Sequence, residues 1–129
     1  MIALDTNVVL RYLVGDGGSQ AAVAASLIEG QLTEAAPGFL SVAVVCELVW
    51  ALTATYRQPR AVVADALLKL VAARQLQVER AEIVAGAAAE TGADIADAII
   101  HGIGAEHGCS HTVTFDRRFA RLAGVELLT

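Results

Sequence analysis

Several acidic side chains stand where a carboxylate has reason to do more than face water. Asp5 follows a short apolar run at residues 2–4, and Asp116 follows a second run with strand character at residues 110–115. In open parallel α/β sheets, binding sites form outside the carboxyl ends of the strands. The sequence therefore predicts that Asp5 and Asp116 lie side by side at one edge of a sheet.

Further acids lie in segments with helical periodicity. Glu47 is embedded among valine, leucine and tryptophan, and no lysine or arginine in the apolar stretches is an obvious partner for it. A lone carboxylate seldom stays buried without a partner. Asp94 and Asp97 are three residues apart, so they share one helix face, and His101 falls on the same face. These acids are candidates for the same site.

Carboxylates that share a pocket repel each other strongly. Two of them about 5 Å apart, at an effective dielectric constant of about 20, repel by roughly 3 kcal/mol. Four would jeopardise a fold that is stable by only about 5–15 kcal/mol, so such a cluster requires protonation or a cation. Oxygen atoms are the only candidate ligands, and no histidine or cysteine stands at ligand spacing. The pattern therefore predicts Mg²⁺ or Mn²⁺ rather than zinc.

Helix capping is the competing explanation for three of these acids. Aspartate is a favoured N-cap residue, so Asp5 could cap the helical segment that follows it, and Asp116 could cap the turn "RRFARL". Asp94, with Asp97 three residues later, resembles a capping pair at the start of a helix. The sequence alone leaves both explanations open.

The surrounding sequence predicts short strands that alternate with helices. The predicted strands are 2–4, 76–79, 110–115 and 125–128. The predicted helices are 7–14, 19–30, 41–56, 60–75, 80–92 and 94–108, with a last turn or two at 117–124. Ser19 and Ser41 are expected N-caps and Gly30 an expected stop, although the β-branched start of 41–56 also permits a strand. Strands separated by helices indicate parallel pairing with right-handed crossovers in an α/β sandwich.

Size and composition indicate one domain over residues 1–129. No apolar run reaches the length of about 18 residues that is needed to cross a bilayer. A secretory signal peptide begins with basic residues, and none precedes Asp5. Cys46 and Cys109 lack CxxC spacing and indicate a reducing compartment, so we expect a cytoplasmic protein with no membrane association. The formal net charge of -5 repels polyanions, so a nucleic-acid substrate requires a local basic patch or a bound cation.

Four segments, in order, resemble the PIN-domain ribonucleases, and specifically the VapC-type toxins of bacterial toxin–antitoxin pairs. They are "LDTNVVLRYL", "SVAVVCELVWAL", "DIADAIIHGIGAEHG" and "TVTFDRRFARLAGVELL". With the helices between them, they cover essentially the whole chain. The resemblance implies a single PIN domain over residues 1–129, with a PIN-like three-layer sandwich in which helices flank a short, mainly parallel central sheet.

The resemblance also implies roles for individual residues. The acidic catalytic site of the family matches Asp5, Glu47, Asp97 and Asp116. The small polar positions that hydrogen-bond those acids match Thr6, Asn7 and Thr114. Asp94 lies beside a matched acid, where it would act as a cap or support the site from behind the ligands.

These matches lead to a hydrolytic mechanism. A metal ion held by Asp5, Asp97 and Asp116, directly or through water, would bind a phosphodiester oxygen and lower the pKa of a water molecule. Glu47 is either a further ligand or the group that orients the attacking water. The resemblance implies cleavage of RNA that leaves a 5′-phosphate and a 3′-hydroxyl.

Basic and aromatic residues near the acids are candidates for RNA contact. The arginines that could hold flanking phosphates, or else face solvent or pair with carboxylates, are Arg11, Arg117, Arg118 and Arg121. Among the aromatic residues, Tyr12, Trp50 and Tyr56 are expected in the core, with base stacking as the alternative.

Three hypotheses of function follow. The first is a ribonuclease toxin neutralised by a VapB-type antitoxin; the resemblance implies a homodimer, with residues 26–32 or 66–76 as contact surfaces. The second is a phosphohydrolase or phosphoacceptor that uses Asp5 covalently, but haloacid-dehalogenase-type enzymes need an aspartate where this chain has Asn7. The third is a non-catalytic RNA-binding or interaction module, against which the four acids argue.

Overall fold

A three-stranded parallel sheet organises the first part of the chain. Its strands, in spatial order, are β1 (Ile2–Ala3), β2 (Gly38–Leu40) and β3 (Leu76–Val78). The computed structural model describes residues 1–129, which divide into two compact units, Met1–Ala81 and Glu82–Thr129. The three-stranded sheet belongs to the first unit.

Helices connect the strands of the first unit, as parallel pairing requires. They are α1 (Thr6–Val14), α2 (Ser19–Ala25), α3 (Val42–Trp50) and α4 (Arg60–Ala72). A π-helical turn extends α2 over Ser26–Gln31, and another extends α3 over Ala51–Thr55. The predicted stop at Gly30 is wrong, because this π-helical turn carries the helix past it and closes with a 3.0 Å bond from the Leu32 N–H to the Leu27 carbonyl.

Apolar side chains from the sheet and the helices fill the core of this unit. Those with almost no exposed surface are Val9, Ile28, Leu40, Val45, Leu48, Val63 and Leu67. At Gly38 of β2, leucine side chains pack closely against the backbone of the strand. A Cβ atom there would lie 2.8 Å from Cδ1 of Leu32 and 2.9 Å from Cδ1 of Leu4, so a side chain at this position would displace both leucines.

The second unit combines helices with a two-stranded ladder. Its elements are α5 (Ala81–Ala89), which begins at the boundary, α6 (Ile95–Glu106), β4 (Thr112–Thr114), a 3₁₀ turn at Phe119–Arg121, and β5 (Val125–Leu127). Strands β4 and β5 pair in parallel with Val113 opposite Glu126. Val84, Ile95, Ile99 and Phe119 are among its buried side chains.

The predicted α/β class with parallel strands is confirmed. Ser41 is the N-cap of α3, as predicted, and accepts a 3.2 Å hydrogen bond from the Val44 N–H. At α2, however, Gly18 is the N-cap and Ser19 lies inside the helix. None of the helices combines the length and the apolar character that crossing a bilayer requires.

Candidate functional site

Asp5 lies two residues after the end of β1 and caps α1. Its Oδ1 accepts a 2.8 Å hydrogen bond from the Thr6 N–H, while its Oδ2 makes no hydrogen bond or ion pair. The Thr6 hydroxyl oxygen is buried without a hydrogen-bond partner. Asn7 is exposed. The Asp5 carboxylate is therefore held by the backbone through one oxygen and keeps the other for a ligand.

Glu47 projects from α3 into solvent. The start of α3 is fixed twice, by the Ser41 cap and by Oε1 of Glu79, which accepts a 2.8 Å hydrogen bond from the Val42 N–H. Glu47 itself is exposed, so the expectation of a buried, unpartnered carboxylate is wrong. Helices α1 and α3 pack against each other in this unit. They present the side chains of Asp5 and Glu47 on exposed surface.

Asp94 and Asp97 open α6 in the second unit. Asp94 is the N-cap: its Oδ1 accepts hydrogen bonds from the N–H groups of Ala96 at 2.9 Å and Asp97 at 3.4 Å. Asp97 lies in the first turn and is half-buried. The capping hypothesis for Asp94 is confirmed, and it leaves the Asp97 carboxylate out of the cap.

Asp116 lies just after β4, where a network of short contacts fixes its backbone. Its N–H donates to the hydroxyl of Thr114 at 3.0 Å, and its Oδ1 accepts from the N–H of Arg118 at 2.8 Å and of Phe119 at 3.4 Å. Thr114 thus supports Asp116 through the backbone and does not touch its carboxylate. As with Asp5 and Asp94, capping occupies only Oδ1 and leaves Oδ2 without a partner.

Electrostatic interaction joins the three acids of the second unit. Partial burial, followed by the negative charges of Asp94 and Asp116, raises the pKa of the Asp97 carboxyl above its usual value. A raised pKa means that the ionised form of Asp97 is disfavoured here. A divalent cation beside these oxygens would reverse that effect, and the all-oxygen donor set suits Mg²⁺ or Mn²⁺. The donor chemistry of these residues, rather than a preformed ligand cluster, is what suits such an ion.

No group of three or more His, Cys, Asp and Glu side chains in residues 1–129 has the arrangement of a metal site. The first unit holds Asp5 and Glu47, and the second holds Asp94, Asp97 and Asp116.

Of the four arginines that are candidates for RNA contact, one forms an ion pair and three do not. Arg11 lies 3.4 Å from the carboxylate of Asp16, which fits the carboxylate-pairing alternative. Arg117, Arg118 and Arg121 are exposed, and their guanidinium groups form no ion pair. Each of these cations could bind a phosphate without breaking an ion pair.

Two further features of this region were not predicted from the sequence. Nδ1 of His101 lies 2.8 Å from the Thr112 hydroxyl oxygen, which ties α6, the helix of Asp97, to β4, the strand before Asp116. Phe115, next to Asp116, was also not singled out, although an aromatic residue followed by an acid and two arginines is a visible pattern. It is 80% exposed, more than any other large apolar side chain.

Comparison with known protein families gives a match over most of the chain. The family model described as "PIN domain" matches residues 2–125, nearly the whole chain and all of the acids discussed above. A comparison with curated proteins gave no match.

Proposed function

This chain belongs to the PIN-domain family, and from that membership we propose that it is a divalent-metal-dependent endoribonuclease. PIN domains are generally nucleases. The single observation that carries the proposal is the family match over residues 2–125, which spans every acid of the candidate site. Residues 1–129 would then form one PIN domain.

The proposal gives each acid a role. Asp5, Asp97 and Asp116 would hold Mg²⁺ or Mn²⁺, with Asp94 supporting Asp97 from the cap. When bound, the ion supplies Lewis-acid chemistry and neutralises charge at the scissile phosphate. Glu47 would orient the attacking water or accept its proton, because an exposed carboxylate without an ion pair is available for either task. Arg117, Arg118 and Arg121 would bind neighbouring phosphates.

The charge balance supports this arrangement. A chain with net charge -5 disfavours RNA at long range, so affinity has to come from local groups. Three unpaired arginines within five residues of Asp116 supply a positive patch. A bound divalent ion would cancel two further negative charges where the phosphate has to lie.

We further propose that the enzyme is the VapC-type toxin of a type II toxin–antitoxin pair, cytoplasmic, homodimeric and neutralised by a VapB-type antitoxin. Protein partners need exposed apolar surface. Trp50 on α3 is 67% exposed, and Val62 and Leu68 on α4 are exposed as well. Co-expression with the neighbouring reading frame, followed by sedimentation analysis, tests the antitoxin and the dimer together.

RNA cleavage tests the enzymatic proposal. Wild-type protein should cleave RNA in Mg²⁺ or Mn²⁺, stop when a chelator is added, and leave 5′-phosphate ends. D116N should lose at least about 100-fold in rate, in line with loss of a group that acts in the transition state. Asp65, an exposed acid paired with Lys69 at 3.0 Å, supplies the control D65N, which should cleave like wild type. Equal activity of D116N and D65N would remove the proposal.

A further inference from the structure

Phe115 is exposed in a way that packing does not explain. It is 80% exposed, whereas Phe119, four residues later, is 5% exposed and anchors the 3₁₀ turn. An apolar ring in water gives up the free energy that its burial would gain. Since Phe119 already secures this segment, Phe115 is not needed to hold it.

The backbone on both sides of Phe115 is fixed. Thr114 pairs within the β4–β5 ladder, and its carbonyl accepts a 2.8 Å hydrogen bond from the Leu128 N–H. On the other side, the Asp116 N–H donates to the Thr114 hydroxyl, and Oδ1 of Asp116 caps the turn that follows. The ring therefore projects from a fixed backbone, which limits the conformational entropy that the protein loses when a ligand binds there.

The charges around the ring identify the kind of ligand. Arg117, Arg118 and Arg121 follow within six residues, all exposed and none in an ion pair. Before Phe115 in the chain, Val113 lies opposite Glu126 of β5, and Nε2 of His111 is 3.5 Å from the Glu126 carboxylate. A polyanion that contacts the ring is thus favoured near the arginines and disfavoured near Glu126.

We propose that Phe115 is a stacking platform for an unpaired nucleobase of the RNA substrate, positioned beside Asp116 while the arginines hold the adjacent phosphates. An exposed ring next to cations is how proteins bind single-stranded RNA, because only unstacked bases offer a free face. This inference rests on the proposed ribonuclease function and adds that the nucleotide next to the cut is single-stranded.

Photocrosslinking tests the contact without relying on activity. The probe is an oligouridylate of about 12 nucleotides, within the usual site size of single-strand binders, with 5-iodouridine in place of uridine. Irradiation should attach it to Phe115 in wild type and to the new ring in F115W, and should give no adduct at position 115 in F115L. Adducts confined to other residues in the wild-type protein would overturn the proposal.

The affinity of each variant for the same RNA measures how much the Phe115 ring contributes to binding. F115A and F115L should bind roughly 5- to 150-fold more weakly than wild type, the range for loss of one stacked base, and F115W should retain affinity. The dependence of log K on log salt should not change in F115A, since no charge is lost. In R118A, which loses one positive charge, the magnitude of the slope of log K against log salt should decrease by about 0.7. Unchanged affinity in F115A would contradict stacking.

Two further outcomes separate this inference from its alternatives. If wild type cleaves RNA and F115A has the same Michaelis constant, the ribonuclease proposal survives and the stacking proposal fails. If wild type crosslinks RNA through Phe115 but never cleaves it, stacking survives and the nuclease proposal fails. If F115A changes the sedimentation coefficient but not RNA affinity, Phe115 is a protein contact, and the stacking proposal is again overturned.

Discussion

Asp94 binds the backbone of Asp97 and at the same time disfavours its charge. Oδ1 of Asp94 accepts a hydrogen bond from the Asp97 N–H at 3.4 Å, which holds the first turn of α6 in place. Burial raises the pKa of the Asp97 carboxyl, and the charges of Asp94 and Asp116 raise it further. The residue that caps and stabilises the helix thus also contributes to the repulsion that raises the pKa of Asp97.

This relationship predicts how stability depends on pH. The pKa of Asp97 is raised above its value of 3.8 in the unfolded chain, so between the two values the folded state binds more protons. Stability in the absence of metal therefore falls as pH rises through that window, and the loss persists at neutral pH. The D97N substitution removes this loss of stability. In the presence of a chelator, the free energy of unfolding of D97N at pH 7 should therefore exceed that of wild type. The difference should vanish below the pKa of Asp97 in the unfolded chain. Urea titrations across pH check this, and an equal difference at every pH would contradict it.

Substitutions at Asp94 separate its cap from its charge. Asparagine is as good an N-cap as aspartate, so D94N should keep the helix and lower the pKa of Asp97 by removing one negative neighbour. D94A should lower that pKa as well and also lose about 1 kcal/mol of unfolding free energy with the cap. Carbon-13 NMR titration of the Asp97 carboxyl, combined with urea unfolding, measures both. No movement of the Asp97 pKa in D94N would refute the interaction.

Thr114 should matter to catalysis through Asp116. T114V removes the hydroxyl that accepts the Asp116 N–H at 3.0 Å, which should cost about 1 kcal/mol of stability and lower the rate of RNA cleavage. T114S keeps the hydroxyl and is the matched control, so it should behave like wild type in both measurements. If T114V and T114S cleave RNA equally well, the hydroxyl does not position Asp116.

Two glycines provide a contrast in packing. A Cβ atom at Gly38 would lie 2.8 and 2.9 Å from the side chains of Leu32 and Leu4, so G38A should lose about 1–3 kcal/mol by overpacking. At Gly30 nothing lies within 4 Å, and G30A should be neutral or slightly stabilising. Chemical denaturation compares the two variants, and a stable G38A would show that the core around β2 is looser than described.

Long periodic segments could be predicted from sequence, and so could four of the five short strands. The helices α3, α4 and α6 fall inside predicted ranges because each repeats its apolar residues over several turns. Strand β2 was missed because Pro37 and Gly38 at its start are typical of a turn. The separation of β4 and β5 from the three-stranded sheet depends on pairing between distant segments, which no local pattern specifies.

The exposure of individual site residues was also hard to predict from local sequence. The sequence placed Trp50 in the core and Glu47 in an apolar setting, yet both are exposed. Because α3 is apolar on all sides, its pattern does not reveal which face meets solvent, although Glu47 and Trp50 are three residues apart and share that face. The caps at Asp5 and Asp94 could be predicted because capping is local, whereas the bond from His101 to Thr112 joins residues 11 apart.

Manganese binding measured by calorimetry tests the central claim most directly. If carboxylates from distant parts of the chain hold one ion, D5N and D116N should each abolish Mn²⁺ binding, although asparagine keeps both caps intact. The control D65N should bind Mn²⁺ as wild type does. Wild-type affinity in either D5N or D116N would show that these acids do not share an ion, and the account of a common metal site would be contradicted.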